Sequence, residues 1–369
     1  MTRVLFLQRQ PCIRTLKYAI GLRSARPDLE LGFACQGATL SGWYGAGDEL
    51  FDRWWQLDMD PTADLRRVFD DYRPDLVHSH NLPDGLTVAA LDAANSRIPV
   101  IHDSHDMQSL RHTPYEDGFP EPEDPLDLER RAIEGSAALI TVSQEMLEEV
   151  RARYSVPGHS RVFANYAAER DLPTILPSPT RRRSGPCRVV YQGSLSTNGG
   201  HYDLRAIFTS LVAPAGAAPP SREPEPSLDI YPARPQPDYV ALADATPGIT
   251  CHEPLEPSKL LQELAGYDFG WAGFNATLNG AHLDTVLPNK LFEYLGCGLP
   301  VLTLRHKALE AFVEEHGVGL VLDSVDELGR RLDEVDVPAL RTRVAASRSR
   351  FTMGANIGTI LDLYDDLTG

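Results

Sequence analysis

Two short segments of the chain gather side chains able to hold polar ligands. Leu76-Val-His-Ser-His-Asn81 closes an apolar run with His78, His80 and Asn81. Val100-Ile-His-Asp-Ser-His-Asp106 closes the next with His102, Asp103, His105 and Asp106. Several chemistries are open to imidazoles and carboxylates gathered on one rim. His78 and His80, two residues apart, can share a face and with Asp103 or His105 have the donor types of a metal site. The same groups suit a polar sugar pocket, where imidazoles hydrogen-bond hydroxyls and steady charge. A third reading makes some of them satisfied histidines inside a loop. Farther on, Asp268-Phe-Gly-Trp271 ends an apolar run, and a loop of small and polar residues, Gly273–Gly280, follows. Then comes Pro288-Asn-Lys-Leu-Phe-Glu-Tyr-Leu-Gly-Cys-Gly-Leu-Pro300. Pro288 suits the first turn of a helix carrying Lys290, Glu293 and Tyr294, which Gly296 and Gly298 end. The free N–H groups and dipole of a helix N-terminus favour a diphosphate. A glutamate one turn in can accept two hydrogen bonds from a ribose diol. Against this stands a plain surface helix with an ordinary Glu.

These residues need a frame that places them together. Continuous apolar runs recur at Val4–Leu7, Leu31–Ala34, Leu76–His78, Val100–His102 and Leu139–Val142, and again at Val189–Tyr191, Leu228–Tyr231, Phe269–Ala272, Val301–Leu304 and Leu320–Leu322. Unbroken runs fit parallel strands covered on both faces. Between them lie helical stretches such as Thr62–Tyr72, with Leu65, Val68 and Phe69 at helical spacing. Ser143 is placed to cap a helix running to about Tyr154, and Ser324-Val-Asp-Glu327 reads as a capping box. Alternation of this kind makes doubly wound parallel sheets, and two series make two Rossmann-like domains. Ligands in such sheets bind beyond the carboxyl ends of the strands, where the residues above fall.

The expected division is residues 1–171, a linker at 172–186 rich in proline and arginine, 187–345, and a final helical piece at 346–369. Arg181–Arg183 in the linker read as a solvated run. Ala213–Pro226 reads as a surface loop, and the chain after Val337 as helix to its end. Length and charge narrow the rest. A chain of 369 residues suits two domains rather than one small core, and a formal charge of −17 argues against nucleic-acid binding and, weakly, against anionic lipid. The apolar run near the start is too short for a signal-peptide core, and no stretch reaches the length of a membrane span. Five scattered cysteines without a C-x-x-C pair point away from disulfides and cysteine-rich zinc sites, so a cytoplasmic location is expected.

Taken in order, these segments resemble the retaining glycosyltransferase family 4 group, enzymes of the GT-B fold with two Rossmann-like parallel-sheet domains facing a cleft. Pro74–His80 is similar to the family's P-D-hydrophobic-V-H-x-H strand end, and Val100–Asp106 to its D-x-H-[DE] segment. Leu128–Ser143 resembles its helix and following strand, and Asn165 its Asn before the linker. Val189-Val-Tyr-Gln-Gly-Ser-Leu195 resembles the strand and glycine turn that open the donor domain. Pro288–Pro300 is close to the P-x-K-x-x-E-Y-x-x-x-G-x-P box.

The resemblance implies transfer of a sugar from a UDP-, GDP- or dTDP-linked donor to a hydroxyl acceptor, with retention and with neither metal nor other cofactor. It implies that Glu293 holds the donor ribose, and that Gly193, Ser194 and Leu195 approach the diphosphate through backbone N–H groups, with Asn289 and Thr285 beside them. His105 and Asp106 are implied at the reacting centre, and His80, Asn81 and Asp103 on the acceptor side. The last helix is implied to return to the first domain. Two departures stand out. Thr285, with Asp284 beside it, occupies the position of a frequent second acid. The stretch Ser196-Thr-Asn-Gly-Gly-His201 lacks the family's cation, so Lys290 is the candidate replacement, ahead of Lys259, Arg205 and His201. A nucleotide-sugar epimerase and an impaired partner subunit are the rival readings. The acidic charge favours a small or soluble acceptor. Trp43, Tyr44, Trp54 and Trp55 can stack on one or pack in the core. Oligomeric state is not read from the sequence.

Overall fold

The computed structural model describes residues 2–113, 122–178, 187–211 and 226–369. Arg181–Arg183 and nearly all of the Ala213–Pro226 loop lie outside the described residues. The chain divides into two compact units. The first comprises Met1–Ala168, Ala281–Leu287 and Met353–Gly369; the second comprises Glu169–Gly280 and Pro288–Thr352.

Parallel strands form the sheet of the first unit. They are β1 (Arg3–Gln8), β2 (Glu30–Cys35), β3 (Arg53–Gln56), β4 (Leu76–His80), β5 (Val100–Ser104), β6 (Ala138–Thr141) and β7 (His159–Val162). Their order is β3-β2-β1-β4-β5-β6-β7. The order reverses direction between β1 and β4, so the carboxyl ends of those two strands flank the switch point where ligands bind in such sheets. Val4–Leu7 and Leu76–His80 are fully buried, as strands covered on both faces should be. The piece from Met353 onward packs Met353, Ile357, Ile360, Leu363 and Tyr364 into the core beside Phe6, Tyr18 and Phe33.

The sheet of the second unit contains β8 (Arg188–Gly193), β9 (Ser227–Pro232), β10 (Ile249–Cys251), β11 (Phe269–Trp271), β12 (Val301–Leu304) and β13 (Gly319–Leu322). The order is β10-β9-β8-β11-β12-β13, with its switch point between β8 and β11. Gly270 in β11 has a local reason to be glycine. A Cβ there would enter the Tyr294 ring, so the missing side chain lets the helix Asn289–Gly296 lie close on the sheet.

Every apolar run read as a strand is one. The sequence reading missed β3, β7 and β10, which are edge strands with polar or short sequences. Several local expectations need correction. The chain after Val337 is not one helix: Val337–Ser347 is followed by a tighter turn, an extended Thr352 and two further helical pieces. Ser324 makes no capping hydrogen bond; Glu327 instead accepts from the Asp323 N–H at 3.2 Å. The described part of the expected linker belongs with the second unit, where Gly296 and Gly298 leave room for Leu172 and Leu176. Return to the first unit begins at Met353 rather than at 346, and Ala281–Leu287 also belongs to the first unit. Among the described residues no helix is long and apolar enough to cross a membrane.

Candidate active site

At the end of β4, alternation puts His78 and His80 on one face, and the β4–β5 register sets His80 beside Asp103. The two imidazoles stack on each other with ring centroids 4.7 Å apart, and His78 stacks on Phe6 at 4.9 Å. Asp103 is fully buried against the equally buried Arg14, whose Nε donates to both carboxylate oxygens at 3.2 Å. The remaining guanidinium donors reach Tyr18 Oη, the Phe163 and Ala164 carbonyls and Asn165 Oδ1. Burial alone would raise the Asp103 carboxyl, but Arg14 and the two imidazoles outweigh it and hold it well below the usual carboxylate range. Burial pushes His78 and His80 below the ordinary histidine value. His78 is tied at one nitrogen to Tyr364 Oη (2.6 Å) and at the other to Asp103 (3.2 Å).

Of the described residues, His78, His80 and Asp103 are the group with metal-ligand spacing. The guanidinium already on Asp103 makes that carboxylate an internal counter-ion, and a divalent cation beside it would face like charge. Asp103 and His80 are fully buried groups of the interior. His102, on the opposite face, closes an internal network with Thr87 (3.0 Å) and Asp84 (3.3 Å).

The turn after β5 comes closer to a working site. Asn81 is buried, and its side-chain oxygen accepts from the backbone N–H of His105 (2.9 Å) and Asp106 (3.4 Å). Its amide donates to the Asp106 carbonyl. Asn81 thus shapes the turn. His105 is half-buried, and burial lowers its pKa. Asp106 pairs at 2.9 Å with Nε2 of His282. Burial would raise the Asp106 carboxyl, yet His282 and His105 bring it down to about 2. The sequence reading passed over His282. Thr285, expected on the donor side, is buried in the first unit and gives its hydroxyl to the His282 carbonyl at 2.8 Å.

In the second unit, β8 ends at the switch point with Gly193 at φ +123°, a conformation that suits glycine. A Cβ on Gly193 would lie 3.5 Å from Lys290 Nζ. Lys290 is only 8% exposed. Its Nζ donates to Tyr191 Oη at 3.0 Å and lies over the rings of Tyr191 (4.1 Å) and Tyr202 (4.8 Å). Burial lowers its pKa to about 7, against the opposing pull of Glu293. One turn along, Glu293 accepts from Gln192 Nε2 at 2.6 Å and is half-buried. The helix is locked to the strand by Tyr294 Oη, which accepts from the Gln192 N–H at 2.9 Å. Asn289 is the first residue of the helix and half-buried; Ser194 is exposed, and Leu195 packs its side chain on the core.

Residues 35–166 match the family of glycosyl transferase 4-like domains, and residues 231–355 match that of glucosyltransferase 3-like C-terminal domains. The chain is a family 4-like glycosyltransferase of the GT-B fold. Sucrose-phosphate synthase from Thermosynechococcus elongatus is 13% identical, with 100% of this chain and 99% of that one covered at a TM-score of 0.70. HepE from Anabaena, solved in complex with UDP, is 14% identical with 98% and 100% covered and a TM-score of 0.72. WaaG, a glycosyltransferase involved in lipopolysaccharide biosynthesis, is 12% identical with 99% and 100% covered and a TM-score of 0.65. No curated protein matches the chain in sequence.

Among the other candidate cations of this glycosyltransferase, Arg205 is closed on Asp203 through both Nε and the terminal amine. Lys259 is exposed on the helix Pro257–Leu264 and pairs with Glu256 at 3.2 Å. His201 packs on Tyr202 and Phe274. Of these four candidates, Lys290 is the one with its amine against the Gly193 turn. Of the aromatics that could stack on an acceptor or pack in the core, Trp54 lies on Phe33 and Phe51, Trp55 on Tyr72, and Tyr44 packs against the core.

Proposed function

We propose that this glycosyltransferase takes its sugar from a nucleoside diphosphate carrier, UDP-, GDP- or dTDP-linked, and passes it to a hydroxyl of a small or soluble acceptor with retention at the anomeric carbon. The observation that carries the reading is the joint presentation of Lys290 and Glu293 by one helix beneath the Gly193 turn, at the switch point of the second sheet. Glu293 accepts the ribose hydroxyls, the backbone of Gly193–Leu195 and the start of the helix at Asn289 receive the diphosphate, and Lys290 supplies the charge that stabilises it as it leaves. HepE, solved with UDP-glucose and with UDP, supports a donor of this class.

In this reading the bond between the anomeric carbon and the β-phosphate oxygen breaks as the acceptor oxygen bonds to the same face. The departing phosphate takes the acceptor's proton, so no protein nucleophile is needed. His105 and Asp106 of the first unit serve the sugar and acceptor side. No metal enters the scheme, because Arg14 already neutralises Asp103 in the group with metal-ligand spacing. A cytoplasmic location fits the free cysteines.

The test is Glu293→Ala, assayed by nucleotide-sugar binding and by nucleoside diphosphate release with an acceptor panel. Loss of donor binding is expected; undiminished affinity and turnover would remove the donor site from this helix. Incubation of wild-type enzyme with donor alone should leave the sugar's stereochemistry unchanged, whereas an epimerase would alter it.

A further inference from the structure

Lys290 is placed as a buried amine rather than as half of an ion pair. Its hydrogen bond goes to Tyr191 Oη, and that hydroxyl spends its own proton on the Ser194 carbonyl. Among the described residues, the groups that face Nζ are the two phenol rings, Tyr191 from β8 and Tyr202 from the glycine-rich stretch, with Glu293 on its own helix. The Glu293 carboxylate is engaged by Gln192 Nε2. Beyond Tyr202, Asp203 is closed on Arg205. Nζ lies against the Gly193 turn, 3.5 Å from the point a Cβ would occupy. We propose that the donor's diphosphate enters this site together with a proton, which Lys290 Nζ takes up from water as the anion arrives. This rests on the reading that the diphosphate sits at the Gly193 turn.

Burial, outweighing the pull of Glu293, brings Lys290 to about 7 before a diphosphate arrives. An anion within ~4–6 Å favours the charged form and moves the titration well upward. The balance is simple: R–NH2 and one proton from the buffer become R–NH3+, and nothing is oxidised or reduced. Below pH 7 the ammonium is already formed, and binding needs no proton. Above pH 7 each binding event must supply one, so affinity falls by up to about tenfold per pH unit. Above pH 7 the amine thus becomes a cation as the diphosphate arrives to meet it.

Titration calorimetry with UDP, with GDP and dTDP run beside it, tests this in Tris and in HEPES at the same pH. The two buffers differ in ionisation enthalpy, so the difference in apparent heat counts protons. At pH 8 about 0.9 proton should be taken up per nucleotide bound, falling to about half at pH 7. Lys290→Met should bind more weakly with affinity flat between pH 7.5 and 8.5, and Lys290→Arg, permanently charged, should bind without uptake. Nucleotide binding by the wild type without proton uptake at pH 8 overturns the proposal and leaves the donor site standing. Uptake that persists in Lys290→Arg overturns it as well. Failure of all three nucleotides to bind the wild type overturns the donor-site reading itself.

Discussion

Replacing Arg14 by Met measures whether Asp103 is an interior counter-ion or a ligand-facing acid. In the wild type both partners are buried, and the pair is 3.1–3.2 Å apart through two guanidinium nitrogens. Removing the cation from such a pair strands a buried carboxylate and costs about 3–5 kcal/mol. Met also leaves the Phe163 and Ala164 carbonyls without the donors they now have, which adds about 1–3 kcal/mol for each one that water does not reach. The first unit should therefore lose at least about 3 kcal/mol. Urea unfolding followed by tryptophan fluorescence in a Trp271→Phe background reads that unit, since Trp43, Trp54 and Trp55 then remain. The double variant Arg14→Met/Asp103→Asn should recover part of the loss, because no charge is then stranded. The pH dependence has a definite sign. In the wild type the Asp103 carboxyl is lower in the folded than in the unfolded state. It therefore adds stability above the unfolded value that disappears as pH falls through the folded one. Without Arg14 burial dominates and the folded value moves above the unfolded one, so the penalty of Arg14→Met should shrink as the carboxyl is protonated. A single variant as stable as the wild type, or a penalty that does not change from pH 7 to pH 4, would refute the interior reading and return Asp103 to the acceptor side.

Three further outcomes follow from the same geometry. Lys290→Met should raise thermal stability while weakening nucleotide binding. The fall of the amine from 10.5 to about 7 costs the folded state up to about 5 kcal/mol below pH 7 at ~1.4 kcal/mol per pH unit, and the gain should fade as pH rises from 7 to 10.5. Gly193→Ala should lose about 1–3 kcal/mol, since φ +123° is strained for a side chain, and should raise the donor KM. His282→Gln should lift Asp106 from about 2 toward the ordinary range and bring an acid limb into the pH profile of kcat/KM between pH 3 and 6; an unchanged profile would show that Asp106 need not be ionised for turnover.

The helix that carries Lys290 and Glu293 was legible in the sequence because its information is local. Lys290 and Glu293 stand three residues apart, and helical geometry alone puts them on one face. Gly193 and Gly270 were visible as glycines in apolar strands, though only the structure shows that Gly270 makes room for the Tyr294 ring. The burial of the acceptor-side candidates was not legible, for the complementary reason. His80, Asn81 and Asp103 cluster at a strand end, as ligand-binding groups do, but what decides their role is Arg14, 89 residues before Asp103. Within Ile13-Arg-Thr-Leu-Lys-Tyr-Ala-Ile20 that arginine looks like any helical surface cation. The edge strands Arg53–Gln56 and His159–Val162 hid for a related reason. They pair on one side only and need no continuous apolar run.

Ser143 was read correctly by its local role, which leaves half its work unseen, and Asn165 was placed without its partners. Ser143 caps the helix Gln144–Arg153 by accepting from the Met146 N–H at 3.0 Å. The same hydroxyl donates at 2.5 Å to the carbonyl of Thr285. One hydroxyl has a proton and lone pairs to serve both. Asn165 accepts from Arg14 and donates at 2.7 Å to the carbonyl of Leu287. With the His282–Asp106 pair and Val286 packed beside Met107 and Leu110, these bonds hold Ala281–Leu287 in the first unit, although both flanking stretches of sequence belong to the second. That explains why Thr285 is counted with the first unit while Glu293 is counted with the second. Its backbone is committed to Ser143 and its side chain to His282, and both commitments belong to a core that Glu293 does not share.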